Sequence, residues 1–222
     1  YSEINDVIQR EPVEFIDPET RGNLASIGIE KGKKFAPDAR MKRLLTEAVA
    51  IANATARTLA FRPRSETIRY YGPKSAWFSA FDGSDYRWLI EDGKGGRNKD
   101  ARTLFFYIAT VNTPAMVLEM IGVGSQYALA ATDDEGHYLD GAENYKLTIP
   151  ADVPVKDFWS LVVYDPQTRS MLQTDQPYPS KNNERNLDLK ANPDGSTTIW
   201  FGPKAPAGRE SNWIQTVPKK GW

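Results

Sequence analysis

The chain has 222 residues, which is enough for one large domain or two small ones with a sizeable core. Its 28 Lys and Arg residues against 29 Asp and Glu residues give a formal net charge of -1, so no overall field favours nucleic acid or an anionic membrane. Cysteine is absent and His137 is the single histidine. These counts exclude disulfides, thiol nucleophiles, iron–sulfur ligation and multi-histidine metal sites, and no cofactor is predicted.

The sequence predicts no transmembrane segment and leaves the compartment open. The most apolar stretch, residues 104–111, falls far short of the roughly 18 residues that a membrane helix needs. The chain starts at Tyr1 without a signal segment and stops at Trp222, so we expect both ends to be cut from a longer protein. A cysteine-free chain fits a reducing cytoplasm or a bacterial envelope, and we favour the envelope slightly.

Helical patterns dominate residues 1–68, which we predict to form a small helical domain. Apolar residues recur at steps of three and four over residues 41–61, after Pro37 and Asp38, and Pro63 ends the pattern. Asp17 and Pro18 are typical of a helix start, with Gly28 available as its C-terminal cap, and a shorter helix is expected after Ser2.

Residues 69–222 are predicted to form a jelly-roll-like antiparallel β-sandwich, so the whole chain is expected to be α+β and mainly β. All six tryptophans lie in this part, among frequent turns. Residues 158–164 are apolar on both alternating faces, which is typical of a central strand covered on both sides. Residues 100–110 favour a helix capped by Asp100.

Two short turns predict hairpins in the β region. Residues 192–195 (Asn-Pro-Asp-Gly) separate residues 187–189 from residues 197–201, and Asp-Gly accepts the positive φ of a tight turn. Residues 133–136 (Asp-Asp-Glu-Gly) separate residues 127–129 from residues 137–139 in the same way.

Catalytic patterns are weak. A Ser-His-acid triad could use only His137, and the Gly-x-Ser-x-Gly motif that presents a nucleophilic serine is absent. Acidic residues at 82–85, 133–135 and 140 could bind Ca²⁺ or Mg²⁺, but none has the spacing of a calcium loop, so we predict solvated turn carboxylates and no metal. The remaining candidate for a functional site is a group of exposed aromatic side chains that stack on a ligand.

Several motifs resemble the bacterial family whose two modules are catalogued as domains of unknown function 1254 and 1214. The residues that carry the resemblance are 113–116, 124–127, 139–141 with Tyr145, 158–165, 168–169, 192–196, 202–208 and 212–213. Residues 28–32 with Phe35 resemble the helical segment that links the two modules. The resemblance implies a helical insert followed by a jelly-roll-like sandwich of the 1214 type.

The resemblance also implies missing parts. The 1254 module that would precede Tyr1 and the last strand that would follow Trp222 are absent from the sequence. We therefore expect those parts, or a neighbouring subunit in a homo-oligomer, to cover exposed sheet edges and the second face of residues 158–164. The family name brings no reaction and no catalytic residues.

The sequence thus favours a noncatalytic, oligomeric β-sandwich module that binds a small apolar or saccharide ligand in an aromatic-lined cleft. The candidate ligand-binding residues combine an acid, a guanidinium and stacking surfaces; they are Asp140, Tyr145, Trp159, Arg169 and Tyr178. Arg169 serves equally well to tie Asp165 into a strand end. Two alternatives stay open: a carboxylate- or calcium-dependent hydrolase or lipid-modifying enzyme completed by the missing module, and a structural coat-like assembly protein.

Overall fold

A computed structural model describes residues 1–83, 85–111, 113–118, 120 and 122–222. The chain divides into two compact units, Tyr1–Ala56 and Arg57–Trp222. The predicted boundary between folding domains at residues 68 and 69 stays a prediction.

The first unit begins with two short helices. Helix α1 (Ser2–Arg10) and helix α2 (Pro18–Ser26) flank a 3-10 turn at Val13–Phe15. The predicted start of α2 is confirmed, because the Asp17 carboxylate accepts a hydrogen bond from the backbone N–H of Thr20 at 3.0 Å. Gly28 follows the helix with a φ of 88°, a conformation that glycine adopts without strain.

Helix α3 (Ala39–Phe61) confirms the predicted long helix and its N-terminal signal. The Asp38 carboxylate accepts a hydrogen bond from the N–H of Met41 at 2.7 Å. The apolar stripe of the sequence is nevertheless mostly uncovered: Leu45 is buried near the start and Leu59 and Ala60 near the end. All of residues 46–55 are exposed.

The second unit holds two hydrophobic clusters. The first cluster packs helix α4 (Lys99–Ala109) and the short helix α5 (Pro114–Val117) against the chain around Phe78 and Trp88. Strands β1 (Leu89–Ile90) and β2 (Gly96–Arg97) form a two-stranded antiparallel sheet that precedes α4 in the chain. The predicted helix at residues 100–110 is thereby confirmed.

The expected cap of α4 is wrong. Asn98, not Asp100, accepts a hydrogen bond from the backbone N–H of Ala101, at 3.0 Å. Asp100 lies in the first turn and forms an ion pair with Arg64. Asparagine and aspartate are nearly equal as caps, so the sequence pattern alone did not separate two candidates two residues apart.

The second cluster lies under the C-terminal strands. Strand β3 (Tyr145–Ile149) pairs antiparallel with β6 (Thr197–Gly202), and β6 pairs parallel with β7 (Trp213–Gln215). A separate pair joins β4 (Ser160–Val162) to β5 (Ser180–Asn182) in antiparallel register. The cluster contains Ile149, Val163, Leu172, Ile199, Phe201 and Ile214, with Trp159, Leu161 and Trp222 partly buried against it.

Strand β4 is flanked on both of its edges. The N–H of Val163 donates to the carbonyl of Pro179 on the β5 side, while the carbonyl of Val163 accepts from the N–H of Leu172 on the other side. The predicted central position is therefore present. Within this chain one face is covered, because Trp159, Leu161 and Val163 pack inward whereas Phe158 and Tyr164 are about half exposed. Coverage of the second face by a missing part or a neighbouring subunit stays a prediction.

Both predicted turns form, but with different arms. Gly195 has a φ of 82° and its N–H donates to Asn192, yet residues 187–189 form no strand and β6 pairs with β3 instead. The 133–136 turn closes a bridge between Thr132 and Tyr138, whereas Leu129 pairs with Phe78. The residues of a turn determine the turn itself, whereas the strand that pairs with each arm depends on which apolar side chains the core buries.

The architecture is α+β, with helices and several small sheets. The expected predominance of β structure is wrong, because helices hold more of the described residues than strands do. The jelly-roll sandwich stays a prediction, and the parallel pairing of β6 with β7 departs from an all-antiparallel arrangement. Among the described residues, the helices lack the combined length and hydrophobicity that spanning a bilayer would require.

Candidate functional site

The uncovered face of β4 groups exposed aromatic side chains. Residues directly opposite each other in antiparallel strands share a face, and alternate residues along a strand do so as well. Ser160 lies opposite Asn182, Val162 opposite Ser180, and Tyr164 opposite Met171. The carbonyl of Pro179 accepts the N–H of Val163, and Tyr178 directly precedes Pro179 at the start of β5. We call this surface the outer face; it consists of Phe158, Ser160, Val162, Tyr164, Met171, Tyr178, Ser180 and Asn182.

The outer face is apolar at its large side chains and uncharged at its small ones. The exposed fractions are 50% for Phe158, 48% for Tyr164, 49% for Met171 and 69% for Tyr178. The shorter side chains of the face are hydroxyls, an amide and a valine, without a formal charge. The exposed fractions describe an open surface, and the aromatic-lined cleft stays a prediction.

A turn formed by Asp165 directly follows Tyr164 at one end of the outer face. Oδ1 of Asp165 accepts hydrogen bonds from the backbone N–H groups of Gln167 at 2.7 Å and Thr168 at 3.2 Å. Oδ2 accepts one from Nζ of Lys220 at 3.0 Å. Burial raises the pKa of Asp165, but these three donors outweigh it and hold that pKa below its usual value. The carboxylate is therefore an anchor for the turn that follows Tyr164.

Arg169 does not reach Asp165 through its side chain. Its backbone N–H donates to the Asp165 carbonyl at 2.8 Å with a φ of 62°. Its guanidinium carbon lies 4.7 Å from the centre of the Tyr107 ring, and Nη1 donates to the carbonyl of Gln167. Nε of Arg169 is buried without a hydrogen-bond partner. The tie to Asp165 is thus made by the Arg169 backbone, while Lys220 supplies the counter-charge.

The other predicted site residues are placed apart from the outer face. The Tyr145 hydroxyl accepts a hydrogen bond from the backbone N–H of Asp140 at 3.0 Å, and the Tyr145 ring meets Trp222 edge-on at 5.5 Å. Asp140 is exposed and its Oδ1 accepts from the N–H of Ala142. Trp159 faces inward and packs against the core cluster. Of the five predicted residues, only Tyr178 belongs to the outer face.

Sequence reasoning missed Phe158, Tyr164 and Met171. The sequence did contain a signal for this surface. Alternate residues of a strand point to opposite faces, so one of the two alternating sets within residues 158–164 has to face away from the core. Which set is covered depends on the core, and that information is not local.

His137 and the acidic turns form no metal cluster among the described residues. Nδ1 of His137 lies 3.7 Å from Asp133 and 3.5 Å from Glu135, at an exposed turn. Oδ1 of Asp133 also accepts the N–H groups of Glu135 and His137, as a turn-forming aspartate does.

Residues 124–222 match the model of a family described as "Protein of unknown function (DUF1214)". We call residues 124–222 the DUF1214 domain after this match. The outer face and its anchoring turn lie entirely inside the DUF1214 domain. The match includes neither a 1254 module nor the linker suggested by the resemblance, and both stay expectations.

The crystal structure of the VPA0106 protein from Vibrio parahaemolyticus is similar, with a TM-score of 0.43 and 22% sequence identity. The similarity covers 99% of this chain and 48% of that protein, so the chain spans less than half of its length. No curated protein matches the chain.

Proposed function

We propose that the DUF1214 domain of this chain is a noncatalytic binding module that holds a neutral saccharide on the outer face. The observation that supports the proposal is the set of exposed aromatic side chains, Phe158, Tyr164 and Tyr178, that flank the paired strands β4 and β5. Sugar rings present apolar C–H faces, so an aromatic ring that is exposed before binding gains contact area by stacking on them.

The small side chains of the outer face favour a saccharide over a purely apolar ligand. Ser160, Ser180 and Asn182 offer hydroxyl and amide groups between the rings. Such groups can both donate and accept hydrogen bonds, as sugar hydroxyls require. The absence of charged side chains among these positions favours a neutral saccharide over an anionic one.

The strands behind the outer face are held in place before any ligand binds. Trp159, Leu161 and Val163 pack into the core cluster, and β5 and residues 171–172 bond to either edge of β4. A surface that is already ordered loses little conformational entropy on binding.

Affinity electrophoresis tests the proposal. The chain is run in native gels that contain dextran, laminarin, xylan or hydroxyethylcellulose, with alginate as an anionic comparison. We expect at least one neutral polysaccharide to retard it. The corresponding hexasaccharide is then titrated against Tyr164→Ala and Tyr178→Ala, and each variant is expected to bind about fivefold to tenfold more weakly because one stacking contact is lost.

Tyr71→Ala is the matched control. Tyr71 is 91% exposed but belongs to the 68–78 segment, outside the DUF1214 domain. Its variant should bind like the unaltered chain. Absence of retardation in every neutral gel, or equal weakening by all three substitutions, contradicts the proposal; a retarding effect of alginate alone would show that charge and not stacking governs binding.

A further inference from the structure

An open cavity lies in the first unit between α1, the Val13–Phe15 turn, α2 and residues 29–31. Its volume is about 320 Å³, which is within the size range of small-molecule sites. We call it the helical cavity. Most of the residues that line it are apolar, among them Ile8, Val13, Phe15, Ile16, Leu24 and Ile29. Since Phe15 is 63% exposed, its ring would lose contact with water when an apolar ligand enters.

Hydrogen bonds join the walls of the helical cavity to one another. Nζ of Lys31 donates to three backbone carbonyl oxygens near the C-terminal end of α1, at 2.7–3.4 Å. Nε2 of Gln9 donates to the backbone carbonyl of Glu30 at 2.9 Å. Nη1 of Arg21 donates to the carbonyl of Val13 and thereby joins α2 to the turn. The cavity is therefore held in shape by polar contacts between its walls, so a ligand does not have to order them.

The wall that α2 contributes contains a glycine. Gly22 is the middle residue of α2 and lines the helical cavity. A glycine inside a helix lowers its stability, because glycine loses more conformational freedom on folding than alanine does. A Cβ atom placed on Gly22 would lie more than 4 Å from every described atom apart from its chain neighbours and its own helix backbone. Contacts within the chain therefore do not require a glycine here, whereas a ligand that lies against the helix backbone would.

The formal charges along the wall of the helical cavity cancel. Glu11 and Glu30 are acidic, and Arg21 and Lys31 are basic. The Glu30 carboxylate also lies 2.6 Å from Nζ of Lys33. A charged ligand would lose hydration on entering and would meet no net counter-charge, so the lining favours a neutral ligand.

The volume of the helical cavity indicates the size of the ligand. A water molecule takes about 30 Å³ of the liquid and a methylene group is of similar size, so a cavity of about 320 Å³ holds about ten carbon atoms. We infer that the helical cavity binds a neutral molecule with a hydrocarbon chain of about this length. The inference does not depend on saccharide binding, because the outer face belongs to the other unit.

Fluorescence titration of the full chain with the neutral probe N-phenylnaphthylamine tests the inference, because the emission of this probe rises in apolar surroundings. We expect saturable binding, and we expect decanol to displace the probe at lower concentration than decanoate or decylamine. A lack of probe binding, or displacement that is strongest with either charged compound, overturns the inference. These measurements use the unaltered chain and do not depend on the folding of a variant.

A series of linear alcohols tests the size of the site. The affinity measured by displacement should rise about fourfold for each methylene group from hexanol to decanol, because each group leaves water for the apolar wall. The rise should stop beyond decanol, when the helical cavity is full. A rise that continues at the same rate to tetradecanol would show an open apolar surface and would overturn the inference.

Gly22→Leu tests the location of the site. The new side chain fills part of the helical cavity, so the probe should bind at least about tenfold more weakly. Leucine is also a better helix former than glycine, so the helical circular dichroism should be kept or increased. Asn23→Leu is the matched control, because it adds the same side chain at the next, exposed position of α2, which does not line the cavity.

Asn23→Leu and the outer-face variant Tyr164→Ala should both bind the probe like the unaltered chain. Equal probe binding by Gly22→Leu and the unaltered chain overturns the inference, and so does equal weakening by both leucine substitutions. Gly22→Leu should bind the saccharide of the outer face like the unaltered chain, which separates failure of this site from failure of the proposed function.

Discussion

The ammonium group of Lys220 lies 3.0 Å from Oδ2 of Asp165 and joins the C-terminal segment to the turn that follows β4. The other carboxylate oxygen of Asp165 is held by two backbone N–H groups of the same turn. The ion pair therefore connects the end of the chain to the support of the outer face.

Asp165→Asn should lower stability in a pH-dependent way. The folded-state pKa of Asp165 lies below its usual value of 3.8, so the carboxylate contributes stability above that pH and loses it as the pH falls through the folded pKa. We expect a deficit of about 1–2 kcal/mol at pH 7, the usual range for a hydrogen-bonded charge whose partner is partly hydrated. The deficit should shrink below about pH 4.

The measurement is urea unfolding followed by tryptophan fluorescence. All six tryptophans lie beyond residue 70, so the signal reports on the unit Arg57–Trp222. Asp152→Asn, at an exposed loop position, is the control. A deficit that stays constant down to pH 2 would contradict the role given to the ionised carboxylate.

Asn212→Asp should be strongly destabilising although it hardly changes shape. Nδ2 of the buried Asn212 donates to the carbonyls of Lys190 and Thr198, both at 2.9 Å. A carboxylate would turn an oxygen toward those two carbonyl oxygens, at a cost of about 3 kcal/mol for the lost bonds and the buried charge. The loss of stability is measured as a lower midpoint of urea unfolding. Asn23→Asp, at an exposed position, should leave the midpoint unchanged; an equal effect of both substitutions would refute the account.

Gly141→Ala should disrupt the packing of the C-terminal segment. A Cβ atom at Gly141 would overlap the backbone oxygen of Val217, and backbone cannot move aside cheaply. We expect a loss of about 3 kcal/mol or more. Gly136→Ala is the matched comparison, because Gly136 has a φ of 85° but open space around it, and it should lose only about 1–2 kcal/mol. Thermal unfolding that ranks the two variants in the reverse order would count against this packing.

Substitutions at Trp159 and Tyr178 should have different effects on the free energy of unfolding and on saccharide affinity. Trp159 packs against the core, so Trp159→Ala should lower the free energy of unfolding by about 2 kcal/mol. Tyr178 is exposed, so Tyr178→Ala should stay within about 0.5 kcal/mol of the unaltered chain while its saccharide affinity falls. Urea unfolding and hexasaccharide titration on the same two samples provide the comparison. Loss of stability in Tyr178→Ala would show that this tyrosine is a structural residue.

The sequence predicts the helices well because their signals are local. Asp17 and Asp38 mark helix starts within four residues of the groups that they cap, and the structure has both caps. The error at Asp100 is of the same local kind, since Asn98 is an equally good cap two residues earlier.

The β pairing and the outer face are less accessible from the sequence. Strand β6 pairs with β3, about fifty positions away, and the hydroxyls of Thr148 and Thr198 meet at 3.0 Å across that pair. Periodicity showed that residues 158–164 have two apolar faces, but not which one the core covers. Tyr178 was predicted as a binding residue from its side-chain chemistry, whereas its place beside β4 follows from the Val163–Pro179 hydrogen bond, which only the paired strands define.

The most direct test of saccharide binding on the outer face is an amide chemical-shift map of the isotope-labelled chain with the hexasaccharide selected by affinity electrophoresis. The account predicts that the largest shifts fall on the amides of Tyr164, Met171, Ser180 and Asn182. Shifts centred on residues 8–31, or no shifts at saturating hexasaccharide, would contradict it.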